Sequence, residues 1–213
     1  LSKHASQAER DYINAMAVRY TLDSKPNYAA LDSAYMKAML KLHLQYPDDE
    51  DAATLFVESA MNLRPWKLWN KDGTPAPGTE EIVSVLESVM RRNPDHAGAI
   101  HFYIHAVESS PDPFRALSPA DRLGRQVPAA GHLVHMPGHA YIRTGFYEES
   151  IKANYEAVKL DSTYVAAGGG SEFYGMIYYP HNIHFLAVSY ALDGQFEKAF
   201  HYSKMPPIGT RII

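Results

Sequence analysis

The chain has 213 residues, a formal net charge of −4 and a pI near 6.3. Lys and Arg form no concentrated basic face of the kind that phosphate binding requires, which argues against nucleic acid as a partner. The complete absence of cysteine excludes disulfides, thiolate metal ligands and cysteine nucleophiles. The hydrophobic content of 46% is enough for a continuous core, so a disordered chain is excluded as well.

The sequence also limits where the protein resides. No run of 18 apolar residues occurs, which predicts that no segment spans a membrane. The chain begins at Leu1 rather than Met and has no signal-peptide pattern, so we expect a processed or excised segment of a soluble, bacterial-type protein. Its targeting segment would then be missing, and the compartment stays open, export included.

Helical spacing of apolar residues, interrupted by Pro and Gly, runs through the whole chain. No segment has the pattern of a strand, so the predicted class is all-α. Two long loops are expected, at 64–78, which contains both tryptophans, and at 161–179, which contains Gly168, Gly169 and Gly170. The predicted helices are Ala5–Tyr20, Asn27–Gln45, Asp51–Leu63, Thr79–Arg92, Ala97–Ser109, Pro113–Arg125, Ala130–Arg143, Tyr147–Leu160, His181–Leu192 and Gln195–Tyr202.

Residues 131–161 combine small and aromatic side chains in the order expected of two antiparallel helices. The pattern consists of Gly138, Tyr141, Gly145, Tyr147, Ile151 and Ala157. It resembles a tetratricopeptide repeat, in which the small residues let two helices approach and the aromatic residues fill the gaps. Residues 180–205 match the same pattern again, through Ala187, Tyr190, Gly194, Phe196 and Ala199.

The spacing of the repeats supports this resemblance. Repeats begin near residues 50, 97, 131 and 180, so the middle step (131 − 97) is 34 residues, the period of the family. The outer steps of 47 and 49 residues exceed 34 by 13 and 15, and the two predicted loops can hold these insertions. The resemblance implies that residues 1–213 form one solenoid of antiparallel helix pairs, a right-handed superhelix.

Histidine is the residue type that the repeats place most selectively. His132, His135 and His139 are spaced by three and four residues, so they share one face of a helix. In the repeat register, seven histidines and one glutamate occupy positions of the first helix that, by the resemblance, face the concave groove. They are Glu58, His101, His105, His132, His135, His139, His181 and His184.

These side chains predict a site for one or two transition-metal ions. Neighbouring helices pack about 8–10 Å apart, so imidazoles from two helices can reach one ion at roughly 2.0–2.1 Å. Imidazole ligands favour Zn or Cu, followed by Fe or Ni. We expect one group of Glu58, His101, His105, His135 and His139, and a second of His132, His181 and His184, with His135 able to serve either.

Other interpretations remain open at this stage. The histidines could contact a bound peptide, act as acids or bases without a metal, or be satisfied structural groups. The alternative function is that of a non-enzymatic interaction module that binds a peptide or protein in its groove, or stacks end to end on like chains. If a metal site were catalytic, Glu58 or Glu108 would be the candidate base. The sequence does not separate hydrolysis, oxidation and metal sequestration, so no catalytic residue is assigned.

Overall fold

The computed structural model describes residues 4–168 and 172–205. Within these ranges the chain forms eleven α-helices, a short 3₁₀ helix at Pro113–Ala116 and no strand. None of these helices combines the length and apolar character needed to cross a bilayer. The helices are α1 Gln7–Ala17, α2 Tyr28–Gln45, α3 Glu50–Asn62, α4 Thr79–Arg92, α5 Ala97–Val107, α6 Leu117–Gln126, α7 Gly131–His135, α8 Pro137–Thr144, α9 Tyr147–Ala166, α10 Glu172–Leu192 and α11 Phe196–Ser203.

Short-range sequence signals set several of the helix ends. Ser6 forms a capping box with Glu9 at the start of α1, in which each side chain bonds the backbone N–H of the other residue. Asn27 and Asp49 cap α2 and α3 through their side-chain oxygens. Gly145 ends α8 with φ at 84°, a left-handed conformation that glycine adopts without strain.

The helices form two compact units, residues 1–106 and residues 107–213. The expectation that they continue one another as a single array stays a prediction. In the first unit α1 packs on α2, α2 on α3 and α3 on α4. Its predicted loop at 64–78 is confirmed, and Trp69 Nε1 anchors it by donating to the Ala106 carbonyl at 2.7 Å.

The second unit carries the segments with the clearest repeat pattern. α7 and α8 pack on α9, α9 packs on α10, and α10 packs on α11. Short turns join α8 to α9 and α10 to α11, so each of these two pairs is antiparallel. Side chains of α9 and α10 form an apolar cluster of Val158, Tyr179, Ile183, Leu186 and Tyr190.

The predicted helix Ala130–Arg143 is divided into α7 and α8 at Met136. Pro137 has no N–H to donate to the carbonyl four residues earlier, so the helical bonding pattern is interrupted there. His139 N donates instead to Met136 O at 3.1 Å, one residue closer than in an α-helix. The interruption falls between His135 and His139, two of the histidines that the repeat register assigns to the groove.

The prediction of a loop over 161–179 is wrong for most of that range. α9 continues to Ala166 and α10 already begins at Glu172, so most of the extra residues lengthen two helices. Of the three glycines on which the loop prediction rested, Gly168 follows α9 with φ at 78°. Gly169 and Gly170 lie outside the described residues. Pro180 lies inside α10 rather than before it.

Candidate metal centre

Three histidines of the second unit converge at one point, and we call them the three-histidine site. His135 closes α7, His139 lies in the first turn of α8, and His181 comes from α10. Each offers a ring nitrogen, and these three atoms lie within 4.8 Å of one another. His135 and His139 are buried and His181 is half-buried. Two segments far apart in the sequence therefore supply one compact group of imidazoles.

The spacing of the ring nitrogens suits a shared ion. Nε2 of His135 lies 3.1 Å from Nε2 of His181. Two imidazole nitrogens bound tetrahedrally to Zn²⁺ at roughly 2.0–2.1 Å would be about 3.3 Å apart. The observed distance between the two Nε2 atoms is slightly shorter than this. The two rings would need to move apart only slightly to bind one ion.

The other nitrogens of the two buried rings are held by side chains. His135 Nδ1 lies 2.6 Å from Asn154 Oδ1, and His139 Nδ1 lies 2.7 Å from Glu108 Oε2. Both partners are themselves buried. Histidine ligands in metal sites usually have such a carboxylate or amide partner on the nitrogen that does not bind the metal.

Burial and neighbouring rings keep His135 neutral. Desolvation is the main cause that lowers the pKa of His135 well below its usual value, and nearby His139 and His181 lower it further. The hydrogen bond with Asn154 opposes this shift only partly. A neutral ring is the form that binds metal ions, so at neutral pH His135 needs no deprotonation to act as a ligand.

Phe185 covers one side of the three-histidine site. Its ring centroid lies 4.8 Å from those of His135 and His181 and 4.4 Å from that of His139. An apolar wall excludes water on that side and lowers the local dielectric, which strengthens electrostatic interactions at the site.

Two further candidates of the second unit occupy different surroundings. The half-buried ring of His132 lies 4.9 Å from that of Tyr178 and 5.9 Å from that of His135. His184 has an exposed side chain. The structure therefore groups His181 with His135 and His139, whereas the sequence grouped it with His132 and His184 and allowed His135 to join them.

The remaining candidates belong to the first unit. His101 and His105 lie one turn apart on α5 with ring centroids 5.1 Å apart, and the exposed Trp66 ring meets His105 edge-on at 5.9 Å. Glu58 accepts a hydrogen bond from Asn62 and lies 3.7 Å from the Arg19 guanidinium. A shared site of these residues with histidines of the second unit stays a prediction.

Sequence reasoning missed Asn154 and Phe185, and it assigned Glu108 a different task. Glu108 was a candidate base, but it bonds a histidine ring nitrogen and is placed to orient that ring. The sequence does contain an indication that Asn154 has a specific partner. The buried face of α9 carries three polar side chains, Ser150, Asn154 one turn later and Asp161 two turns after that. A polar residue on a buried face needs a specific partner.

Comparisons with known proteins identify the fold. No protein-family profile matches the chain, and no curated protein matches it. Solved structures of MamA do match. MamA 41-end from Desulfovibrio magneticus RS-1 has a TM-score of 0.64 at 13% identity, covering 93% of this chain and 92% of that chain. A MamA structure designated AMB-1 has a TM-score of 0.62 at 14% identity, covering 94% of this chain and 95% of that chain.

The chain has a tetratricopeptide-like fold. Because the identity to MamA is low, the likeness concerns the fold alone. It confirms the all-α solenoid of antiparallel helix pairs that the repeat pattern predicted.

Proposed function

We propose that the protein binds a transition-metal ion, Zn²⁺ or Cu²⁺, through Nε2 of His135, His139 and His181. The observation that carries this proposal is the convergence of three ring nitrogens in a largely buried site, with both buried rings held from behind by a polar side chain. Three neutral nitrogen ligands suit Zn and Cu better than Mg or Ca, which favour oxygen ligands. Three protein ligands also leave a coordination position for a water molecule or a further ligand.

Metal analysis of protein purified without a polyhistidine tag or chelating resin tests this proposal. We expect about one equivalent of Zn²⁺ or Cu²⁺ bound with high affinity. At a free metal concentration of about 100 times Kd, binding contributes about 2.7 kcal/mol, which raises Tm by roughly 5–10 °C for a chain of this size. Less than about 0.2 equivalents of any transition metal, together with an unchanged Tm on adding Zn²⁺ or Cu²⁺, would contradict the proposal.

A second ion is proposed at the His101–His105 pair on α5. Two histidines one helical turn apart can chelate one ion, and Trp66 lies close enough to report it. We expect Cu²⁺ to quench the fluorescence of Trp66, and Trp66→Phe to remove most of this signal while the bound copper is unchanged. Quenching should persist in His135→Ala/His139→Ala. Undiminished quenching in His101→Ala/His105→Ala would show that copper binds elsewhere.

A second function, supported by the fold itself, is that of a non-enzymatic interaction module. Tetratricopeptide-like folds bind partner proteins or assemble with copies of themselves, and the solved MamA 41-end chain shares this fold over 92% of its length. Sedimentation analysis with and without metal separates the two functions. An interaction module that does not use metal should assemble or bind its partner equally in chelator and in Zn²⁺.

A further inference from the structure

We propose that Glu108 and Asn154 are positioning residues that hold His139 and His135 as Nδ1–H tautomers, so that both rings present the lone pair of Nε2 to one ion. This inference rests on the metal site proposed above. It assigns the tautomer of each ring and the residue that fixes it, which the convergence of the rings alone leaves undetermined.

The tautomer of His135 follows from the orientation of the Asn154 amide. Asn154 Nδ2 donates to the Ser150 carbonyl at 2.7 Å, which only a donor can do, so the other amide atom is the oxygen. That oxygen faces His135 Nδ1 at 2.6 Å and can only accept. Nδ1 of His135 therefore carries the proton. The ring is fully buried and its Nδ1 partner is a neutral amide rather than a carboxylate, so the neutral form is favoured and Nε2 carries the lone pair.

The packing of α8 on α9 fixes Asn154 in this orientation. A Cβ atom on Gly138 would lie 2.5 Å from Asn154 Nδ2, so the amide occupies the space that the glycine leaves. Ser150, one turn earlier on α9, bonds Ser189 of α10 through its hydroxyl at 2.8 Å. The acceptor facing His135 is thus held by a fully buried set of side chains.

The tautomer of His139 follows from the carboxylate of Glu108. When Glu108 is ionised its carboxylate has only acceptors, and His139 Nδ1 then donates across the 2.7 Å contact. A carboxylate behind a histidine ligand also makes the ring a stronger ligand, whereas the neutral amide behind His135 only orients it. The two buried ligands are therefore unequal, and Glu108 is expected to contribute more to affinity than Asn154.

The first test needs no metal. Long-range ¹H–¹⁵N correlation spectra of the full chain, labelled at histidine and kept in chelator, report which nitrogen of each ring carries the proton. We expect Nδ1–H in both His135 and His139, assigned with the variants His135→Gln and His139→Gln. A proton on Nε2 of either ring in the metal-free protein would overturn the proposal.

The second test measures metal affinity, which a purely structural hydrogen bond would leave unchanged. Glu108→Gln keeps the size and an acceptor but removes the charge, and we expect Kd for Zn²⁺ to rise about 10- to 100-fold, with a shifted visible spectrum of the Co²⁺ form. Glu108→Asp should restore part of the affinity. The control is Glu87→Gln, which removes a carboxylate that accepts a hydrogen bond from the Tyr103 hydroxyl.

The outcomes distinguish the two proposals. Zn²⁺ affinity in Glu108→Gln within about twofold of the wild-type protein overturns the positioning role and leaves the metal site in place. A wild-type protein that binds no transition metal overturns both. An equal loss of affinity in Glu87→Gln would assign the effect to the general loss of charge, and it would also overturn the positioning role.

Discussion

The double substitution His135→Ala/His139→Ala is expected to abolish high-affinity metal binding at the three-histidine site. It removes two of three ligands and leaves only the half-buried ring of His181. A lone imidazole binds Zn²⁺ weakly, so Kd should rise by at least about three orders of magnitude. Isothermal titration of metal-free protein with Zn²⁺ and with Cu²⁺, competed by a chelator of known affinity, measures this change.

The same variant should also lose stability, and this effect has to be separated from the loss of ligands. Asn154 and Glu108 would lose their imidazole partners while buried, at about 1–3 kcal/mol for each unsatisfied group. His184→Ala/His201→Ala is the matched control, because it removes two histidines whose side chains are exposed. Wild-type Zn²⁺ affinity in His135→Ala/His139→Ala would show that the metal is bound by other residues.

Local sequence patterns account for the part of the fold that was predicted correctly. Caps at Ser6, Asn27 and Asp49, and the left-handed Gly145, act within one helical turn, so their effect can be recognised without knowing the fold. The repeat pattern added the pairing of helices, because small residues at fixed spacing indicate where two helices approach. Gly138 confirms this, since its missing Cβ admits the Asn154 side chain.

The wrong loop at 161–179 shows where local patterns fail. Three consecutive glycines and a proline are strong signals against a helix, and they led to a loop that is too long. In the structure a buried carboxylate of α9 is bonded to side chains of α10. Asp161 accepts hydrogen bonds from Tyr174 at 2.6 Å and from Asn182 at 2.7 Å. Such tertiary bonds between residues 13 and 21 positions apart override the local preference, and a periodic pattern does not reveal them.

Each ligand of the candidate site was a candidate from the sequence, but neither their grouping nor their supporting residues were predicted. A spacing of four residues places His135 and His139 on one side of the chain, whereas the repeat register grouped His181 with His132 and His184, with His135 able to join them. Glu108 precedes His139 by 31 positions, and Asn154 follows His135 by 19. The role of Asn154 depends on how α9 packs on α7 and α8, and that of Glu108, which directly follows α5, depends on its contact with His139 of α8. A periodic sequence pattern reveals neither contact.

Gly131→Ala is expected to destabilise the second unit strongly, because the missing side chain of Gly131 leaves room for the buried carboxylate of Asp161. This is the carboxylate that bonds to side chains of α10 in the segment wrongly predicted as a loop. A Cβ on Gly131 would lie 1.9 Å from Asp161 Oδ1 and 3.3 Å from the Ala157 carbonyl, so Asp161 would have to move. Movement breaks or weakens its bonds to Tyr174 and Asn182 in a site where Asp161 is only 1% exposed. Overpacking and a lost hydrogen bond together cost about 2–4 kcal/mol, or roughly 5–15 °C in Tm.

Gly98→Ala separates this clash from the general effect of placing alanine in a helix. Gly98 also lies in the first turn of its helix, but a Cβ there meets only Thr54 Cγ2 and the His96 ring, at 3.3 Å and more. Alanine favours a helix over glycine by up to about 1 kcal/mol, so Gly98→Ala should unfold close to the wild-type temperature or slightly above it. Equal Tm values for the two variants, measured by calorimetry in chelator, would contradict a close approach of α7 to α9 at Asp161. A large difference would establish that approach without reference to metal binding.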